Sequence, residues 1–247
     1  MERRRYALKR AMTESQAKQQ VTPRARRRVS NLPQMHVSRV TLPDEIYRRI
    51  KNMILDGDLV PGESVTIQGL ASAFGVSAMP VREALQRLTT ERALTVISGR
   101  SVGIPELHST RLRDLTRVRM EIESIAAEWA TPNVTEADSA LLQKTVDLMA
   151  VAAETGDTHG YVRSNHDFHF GVYRASGSET LLTTIEGLWL QVSPYFHLLH
   201  SSGNYVAANE QHKLILKAIR DSDAKAAALH IRKDIQSATK VLLALLG

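Results

Sequence analysis

Two stretches of the sequence carry side chains able to do chemistry. The first is HDFH at residues 166–169, followed further along by His212 and by several acids. Histidine and carboxylate side chains turned into a helical bundle can hold a transition metal. Hydrolytic or redox work there calls for a general base or paired Glu-x-x-His motifs, and no such pair is present. The second is GVSAMPVREALQRL at residues 75–88, where Arg82 lies beside an evenly spaced apolar row. An arginine off the buried stripe of a short helix can reach a base edge or a phosphate of DNA.

Composition limits what can position these groups. At 247 residues, 43% of them hydrophobic, the chain can bury the core of one or two domains. The absence of cysteine excludes disulfides and thiolate metal sites. No run of about 18 apolar residues and no apolar leader is present, so a soluble cytoplasmic protein without membrane contact is expected. The net charge of +6 is unevenly placed: residues 1–40 carry 11 Lys/Arg against 2 acids, and the other 207 carry 21 against 24. The basic part reads as a disordered tail able to lie along phosphates without reading bases.

From residue 41 the pattern becomes helical. Pro43, Asp44 and Glu45 suit a first turn, Ile46, Ile50, Met53 and Ile54 share a face, and Gly57 follows the end. Ile67, Leu70, Ala71 and Phe74 mark a second short helix, and Gly75 reverses the chain. Ser77 is placed as an N-cap, and Val76 can staple onto Val81. Val81, Ala84, Leu85 and Leu88 form the next buried stripe, with Met79, Arg82, Glu83, Gln86 and Arg87 off it. Leu94, Val96, Val102 and Ile104 then alternate around Ser98-Gly99-Arg100 as a β-hairpin. Helix, helix-turn-helix and hairpin in that order make a winged helix-turn-helix over residues 41–106.

The phrases ILDGDLVPGE, LASAFGVS and PVREALQRL resemble the winged helix of GntR-family transcription regulators. The resemblance implies that Arg82 contacts operator DNA and that the wing, with Gly99 and Arg100, reaches the minor groove or backbone. Three departures stand out: Ala78 sits where the family usually has Arg after the serine of GVS, Gln68 where Arg is common, and Ser101 where the wing has glycine. An arginine lost from a guanine contact removes up to about 1–3 kcal/mol of base discrimination, so a different operator is expected, with Ala78 or Met79 on a thymine methyl. The DNA-facing set is thus Gln68, Ser77, Ala78, Met79, Arg82, Gly99 and Arg100.

Residues 107–247 show helical patterns at about 109–130, 135–155, 158–175, 178–200, 205–221 and 223–246, separated by turn signals. The fold expected is mainly α, a winged helix followed by an antiparallel six-helix bundle. VRMEIESIAAEWA, NHDFHFGVYRASGSETLL and QHKLILKAIRDSDAKAAALH resemble the FCD ligand-sensing domain of FadR-type GntR regulators, in its six-helix VanR-like subgroup. The resemblance implies a homodimer, double-stranded operator DNA as partner, and a small organic-acid effector in the bundle. It also implies a metal site matched by Asn165, His169, His212 and Asp234, where Asn replaces the family's Asp and Asp234 its last His. Two imidazoles and a carboxylate remain, a set suited to zinc or another first-row divalent ion. His230, one turn before Asp234, reads as a further ligand or effector contact, and Arg119 as a clasp for an effector carboxylate that can instead pair with Glu123. The reading is therefore a regulator, and a repressor. A helical-bundle metalloenzyme with an accessory DNA-binding domain and a non-specific architectural DNA binder are the alternatives.

Overall fold

The computed structural model describes residues 41–246; the basic tail expected over residues 1–40 lies outside the described residues. The first helix, α1 (Leu42–Leu55), begins at a capping box in which Asp44 N–H donates to the Thr41 hydroxyl and Thr41 N–H to the Asp44 carboxylate. It buries Ile46, Ile50, Ile54 and Leu55; the expected Met53 is only half-buried. Helices α2 (Ile67–Phe74) and α3 (Ala78–Thr90) follow, and Gly75 joins them at φ +67°, a conformation that L side chains resist.

Ser77 has the extended backbone of an N-cap, but its hydroxyl makes no capping bond. The capping role expected from its residue type is thus not filled. The wing is a three-stranded antiparallel sheet in the order β1 (Ser64–Thr66), β3 (Ser101–Gly103), β2 (Thr95–Ser98). Strand β1 was not foreseen, because Ser-Val-Thr offers a single apolar residue. Gly103 is required where β3 crosses the Glu63 carbonyl, since a Cβ there would stand 2.6 Å from that oxygen.

The second part consists of α4 (Ser109–Ala130), α5 (Glu136–Thr155), α6 (Thr158–Arg174), α7 (Glu179–Val192), α8 (Asn204–Arg220) and α9 (Ala224–Leu245). Helix α4 packs chiefly on α9, with α6 and α7 also against it, while α5 lies on α6 and α8. Phe168, Phe170, Tyr173, Trp189 and Met149 are fully buried between them. One expectation fails: the helix foreseen over residues 178–200 stops at Val192. Pro194 lacks an N–H and its ring excludes the preceding turn, so Ser193–Ser202 continues as a 3-10 helix.

The two parts touch through specific polar contacts. Lys51 of α1 bonds Glu186 of α7 at 2.9 Å. The Tyr195 hydroxyl of the 3-10 helix donates to the Pro105 carbonyl in the connecting segment.

Candidate functional site

Helix α3 turns Pro80, Val81, Ala84, Leu85 and Leu88 inward, and Val76 packs partly buried against the same core. Met79, 64% exposed, and the exposed Arg82, Glu83 and Gln86 form the outer face, with Ala78 half-buried at its start. Arg87 lies off the stripe as expected, yet it is tied down. Its guanidinium sits 3.7 Å above the Tyr47 ring and reaches Asp44 at 3.4 Å and Glu91 at 3.3 Å. The Tyr47 hydroxyl donates to Glu91, and burial followed by that bond raises it far above its ordinary range. Arg82 makes no ion pair among the described residues, so it is the arginine of α3 left to meet a ligand. Gln68 is exposed on α2, and Gly99 and Arg100 occupy the exposed turn between β2 and β3. Ser101, the departure at the wing, bonds the Ser98 hydroxyl at 2.8 Å and closes that turn.

The second cluster lies inside the bundle. His169 of α6, His212 of α8 and Asp234 of α9 are all buried, and their ligand atoms lie within 4.8 Å of one another. His169 Nε2 is 3.2 Å from His212 Nε2 and 3.3 Å from Asp234, and His212 Nε2 is 3.7 Å from Asp234. Burial pushes the His212 imidazole down to about 4, with Asp234 opposing the shift. Burial alone would raise the Asp234 carboxyl, but the facing imidazoles of His212 and His169 and then Arg119 hold it below the usual range. Asn165 lines the cavity beside this cluster, together with Arg119, Tyr161, Trp189, Phe196 and Tyr205. The cavity measures about 30 Å³, room for a water or an ion and too little for a metabolite.

Two expectations need correction. His230 is not brought to the cluster; its Nδ1 meets Gln211 of α8 at 3.2 Å, one turn away along α9, and it does not line the cavity. Arg119 does line it, but the Nε/Nη2 edge needed for a bidentate clasp is taken by Glu123, at 2.6 and 3.3 Å. HDFH also divides, because His166 Nδ1 faces Asp56 at 3.9 Å and Asp167 at 3.6 Å while His169 alone joins the buried set. Glu123, Tyr173 and Trp189 carry more of the site than their residue types announced. The i, i+4 spacing of His169 and Tyr173 on α6 was the signal available for one of them.

Residues 42–104 match the model described as bacterial regulatory proteins, gntR family, and residues 114–237 match the FCD domain. The chain belongs to the GntR family. It is similar to the HTH-type transcriptional regulator McbR of Escherichia coli (strain K12), 32% identical over 187 residues that cover 74% of this chain and 85% of that protein. The solved structure of E. coli McbR/YncC superposes with a TM-score of 0.77 at 28% identity, covering 84% of this chain and all 100% of that one. The HTH-type transcriptional repressor RspR of E. coli (strain K12) is 23% identical over 205 residues, 80% of this chain and 89% of that protein. A GntR regulator with an FCD domain is a sequence-specific DNA-binding transcription regulator and not an enzyme, which sets the metalloenzyme reading aside. No helix among the described residues is long and apolar enough to cross a membrane.

Proposed function

We propose that this GntR regulator is a cytoplasmic homodimeric repressor whose grip on its operator is set by a small organic acid bound at a divalent metal in the bundle. Residues 1–40 would supply non-specific phosphate attraction, 41–106 the DNA contacts, and 107–247 the effector and dimer functions. The observation that carries this reading is the meeting of buried His169, His212 and Asp234, of which His169 and Asp234 line one cavity with Arg119.

The donor set fits a metal. Two imidazole nitrogens and a carboxylate oxygen face one another out of water, an arrangement that favours a cation among them. His169, His212 and Asp234 would hold a zinc-like ion, with Asn165 or water as a further oxygen ligand. Such an ion supplies a Lewis-acid grip on a carboxylate. Glu123 already offsets the Arg119 charge, so Arg119 offers the effector hydrogen bonds from Nη1 rather than a free counter-charge.

A ligand larger than water must displace Trp189, Phe196 or Leu199, which wall the cavity. Phe196 and Leu199 share the 3-10 helix with Tyr195, the residue on Pro105, and Trp189 shares α7 with Glu186 and Gln191. Displacement there loosens the contacts to Lys51 and Pro105, coupling cavity to winged helix. On DNA, Met79, Ala78 and Arg82 would read the major groove with Ser77 and Gln68, and Gly99 and Arg100 would lie along the minor groove. Exposed Val118, Ile125 and Trp129 on α4 supply an apolar face for the second copy.

Elemental analysis of untagged protein after incubation with zinc, nickel or manganese tests the metal. About one ion per chain, lost in His169→Ala/His212→Ala, supports it; no stoichiometric ion with any of the three refutes it.

A further inference from the structure

The hydrogen bonds around Glu123 fix where one proton of the buried site lies. The Glu123 carboxylate, fully buried on α4, receives Arg119 Nε at 2.6 Å, Arg119 Nη2 at 3.3 Å, Trp189 Nε1 at 3.0 Å and the Tyr173 hydroxyl at 2.6 Å. Guanidinium and indole N–H groups only donate, so Glu123 is ionised and accepts from all of them. The Tyr173 hydroxyl faces a carboxylate that only accepts, so it is the donor of that bond and keeps its proton. That proton lies on the 2.6 Å line to the carboxylate, a charge-assisted bond stronger than any to a neutral ring nitrogen.

The Tyr173 oxygen is then an acceptor only towards His169 Nδ1, 3.1 Å away and one turn earlier on α6. Nδ1 faces that acceptor and carries a hydrogen towards it. Nε2 has the Asp234 acceptor at 3.3 Å but also His212 Nε2 at 3.2 Å, and because His212 Nδ1 has no partner among the described residues the His212 hydrogen lies on Nε2, where the His169 lone pair receives it. In the neutral ring Nε2 therefore presents its lone pair between His212 Nε2 and Asp234. His212 lacks such a fixture: among the described residues its Nδ1 has no hydrogen-bond partner.

We propose that Tyr173, oriented by Glu123, is the positioning residue that keeps the His169 proton on Nδ1 and so aims Nε2 as the preset ligand of the pair. Its consequence for binding rests on the metal reading above; its geometry does not. Without the hydroxyl, the His169 proton has no acceptor at Nδ1 and moves to Nε2, where Asp234 stands 3.3 Å away. A metal must then displace that proton, and outer-shell losses of this kind typically cost about 10- to 100-fold in affinity.

Two measurements on the full-length protein test this. The first is ¹⁵N NMR of the histidine rings in chelator-treated protein at slightly alkaline pH, with His169 assigned by His169→Asn. The expected result is a proton on Nδ1 in the parent and on Nε2 in Tyr173→Phe; an unprotonated Nδ1 in the parent overturns the proposal without any variant having to fold. The second is zinc affinity by competition with a chromophoric chelator. Tyr173→Phe, folded as judged by circular dichroism, should bind zinc about 10- to 100-fold more weakly than the parent. Equal affinity overturns the proposal. A parent that binds no zinc refutes the metal reading alone, and the NMR result then decides the positioning claim by itself.

Discussion

Replacing Glu123 by glutamine should unfold the bundle early, and the structure sets the size of the effect. The carboxylate has 0% exposure and serves four donor N–H or O–H groups, three of them on Oε2 and Arg119 Nε on Oε1. A glutamine amide must turn its NH₂ towards one of those two sides. Facing Oε2's partners it confronts three donors; facing Arg119 Nε it confronts one, which is the lesser loss. Even so, the guanidinium, 5% exposed, keeps its charge without a counter-charge. Breaking one partner of a buried ion pair costs about 3–5 kcal/mol. At roughly 2–4 °C per kcal/mol for a chain of this size, Tm should fall by roughly 6–20 °C in a thermal scan. Adding Arg119→Gln should recover part of the loss, because the stranded charge goes with it. A Glu123→Gln protein within about 1 kcal/mol of the parent, or a double variant less stable by the full sum, would refute the assignment of Glu123 as the ionised hub.

Three further outcomes are expected. Arg82→Ala should weaken operator binding by at least about 1 kcal/mol in a gel-shift titration and leave Tm unchanged, whereas Arg87→Ala, which strips the Tyr47 and Asp44 contacts, should lower Tm instead. In metal-free protein His212 has a folded-state pKa of about 4 against an ordinary 6.5, so the unfolded chain takes up the proton first as pH falls. The stability due to its neutral form is complete above about pH 6.5 and is lost towards pH 4, about 3 kcal/mol in all, and urea titrations of His212→Asn should show a flatter fall over that window. Deleting residues 1–30 should reduce the slope of log K against log salt on operator DNA without changing the preferred sequence; an unchanged slope removes the tail from DNA binding.

What the sequence disclosed was local. The helix from Leu42, the Gly75 reversal and the hairpin turn at Gly99-Arg100 depend on caps, turns and apolar spacing within a few residues, and these are where expectation and structure agree. Pro194 was legible too, and the helix assumed through it was a misjudged chain-breaker. The buried network was not legible, because Tyr173 and Trp189 meet Glu123 from 50 and 66 residues away. Residue type alone marks Trp189 as core and Tyr173 as half-polar; only tertiary packing makes them partners of one carboxylate. His230 shows the reverse limit. Its spacing from Asp234 is that of neighbours on a helix, yet its ring settles on Gln211, and spacing within one helix does not say which neighbour a side chain reaches across the bundle.

The most direct test of the whole reading is an anisotropy titration of a promoter fragment from beside the gene, at fixed salt and with zinc present, with and without a panel of small organic acids. The parent should prefer the promoter over random duplex, and at least one acid should change its operator affinity by about 5- to 150-fold while leaving His169→Ala/His212→Ala unaffected. Equal affinity for promoter and random DNA, or an acid response of the same size in parent and variant, would contradict it.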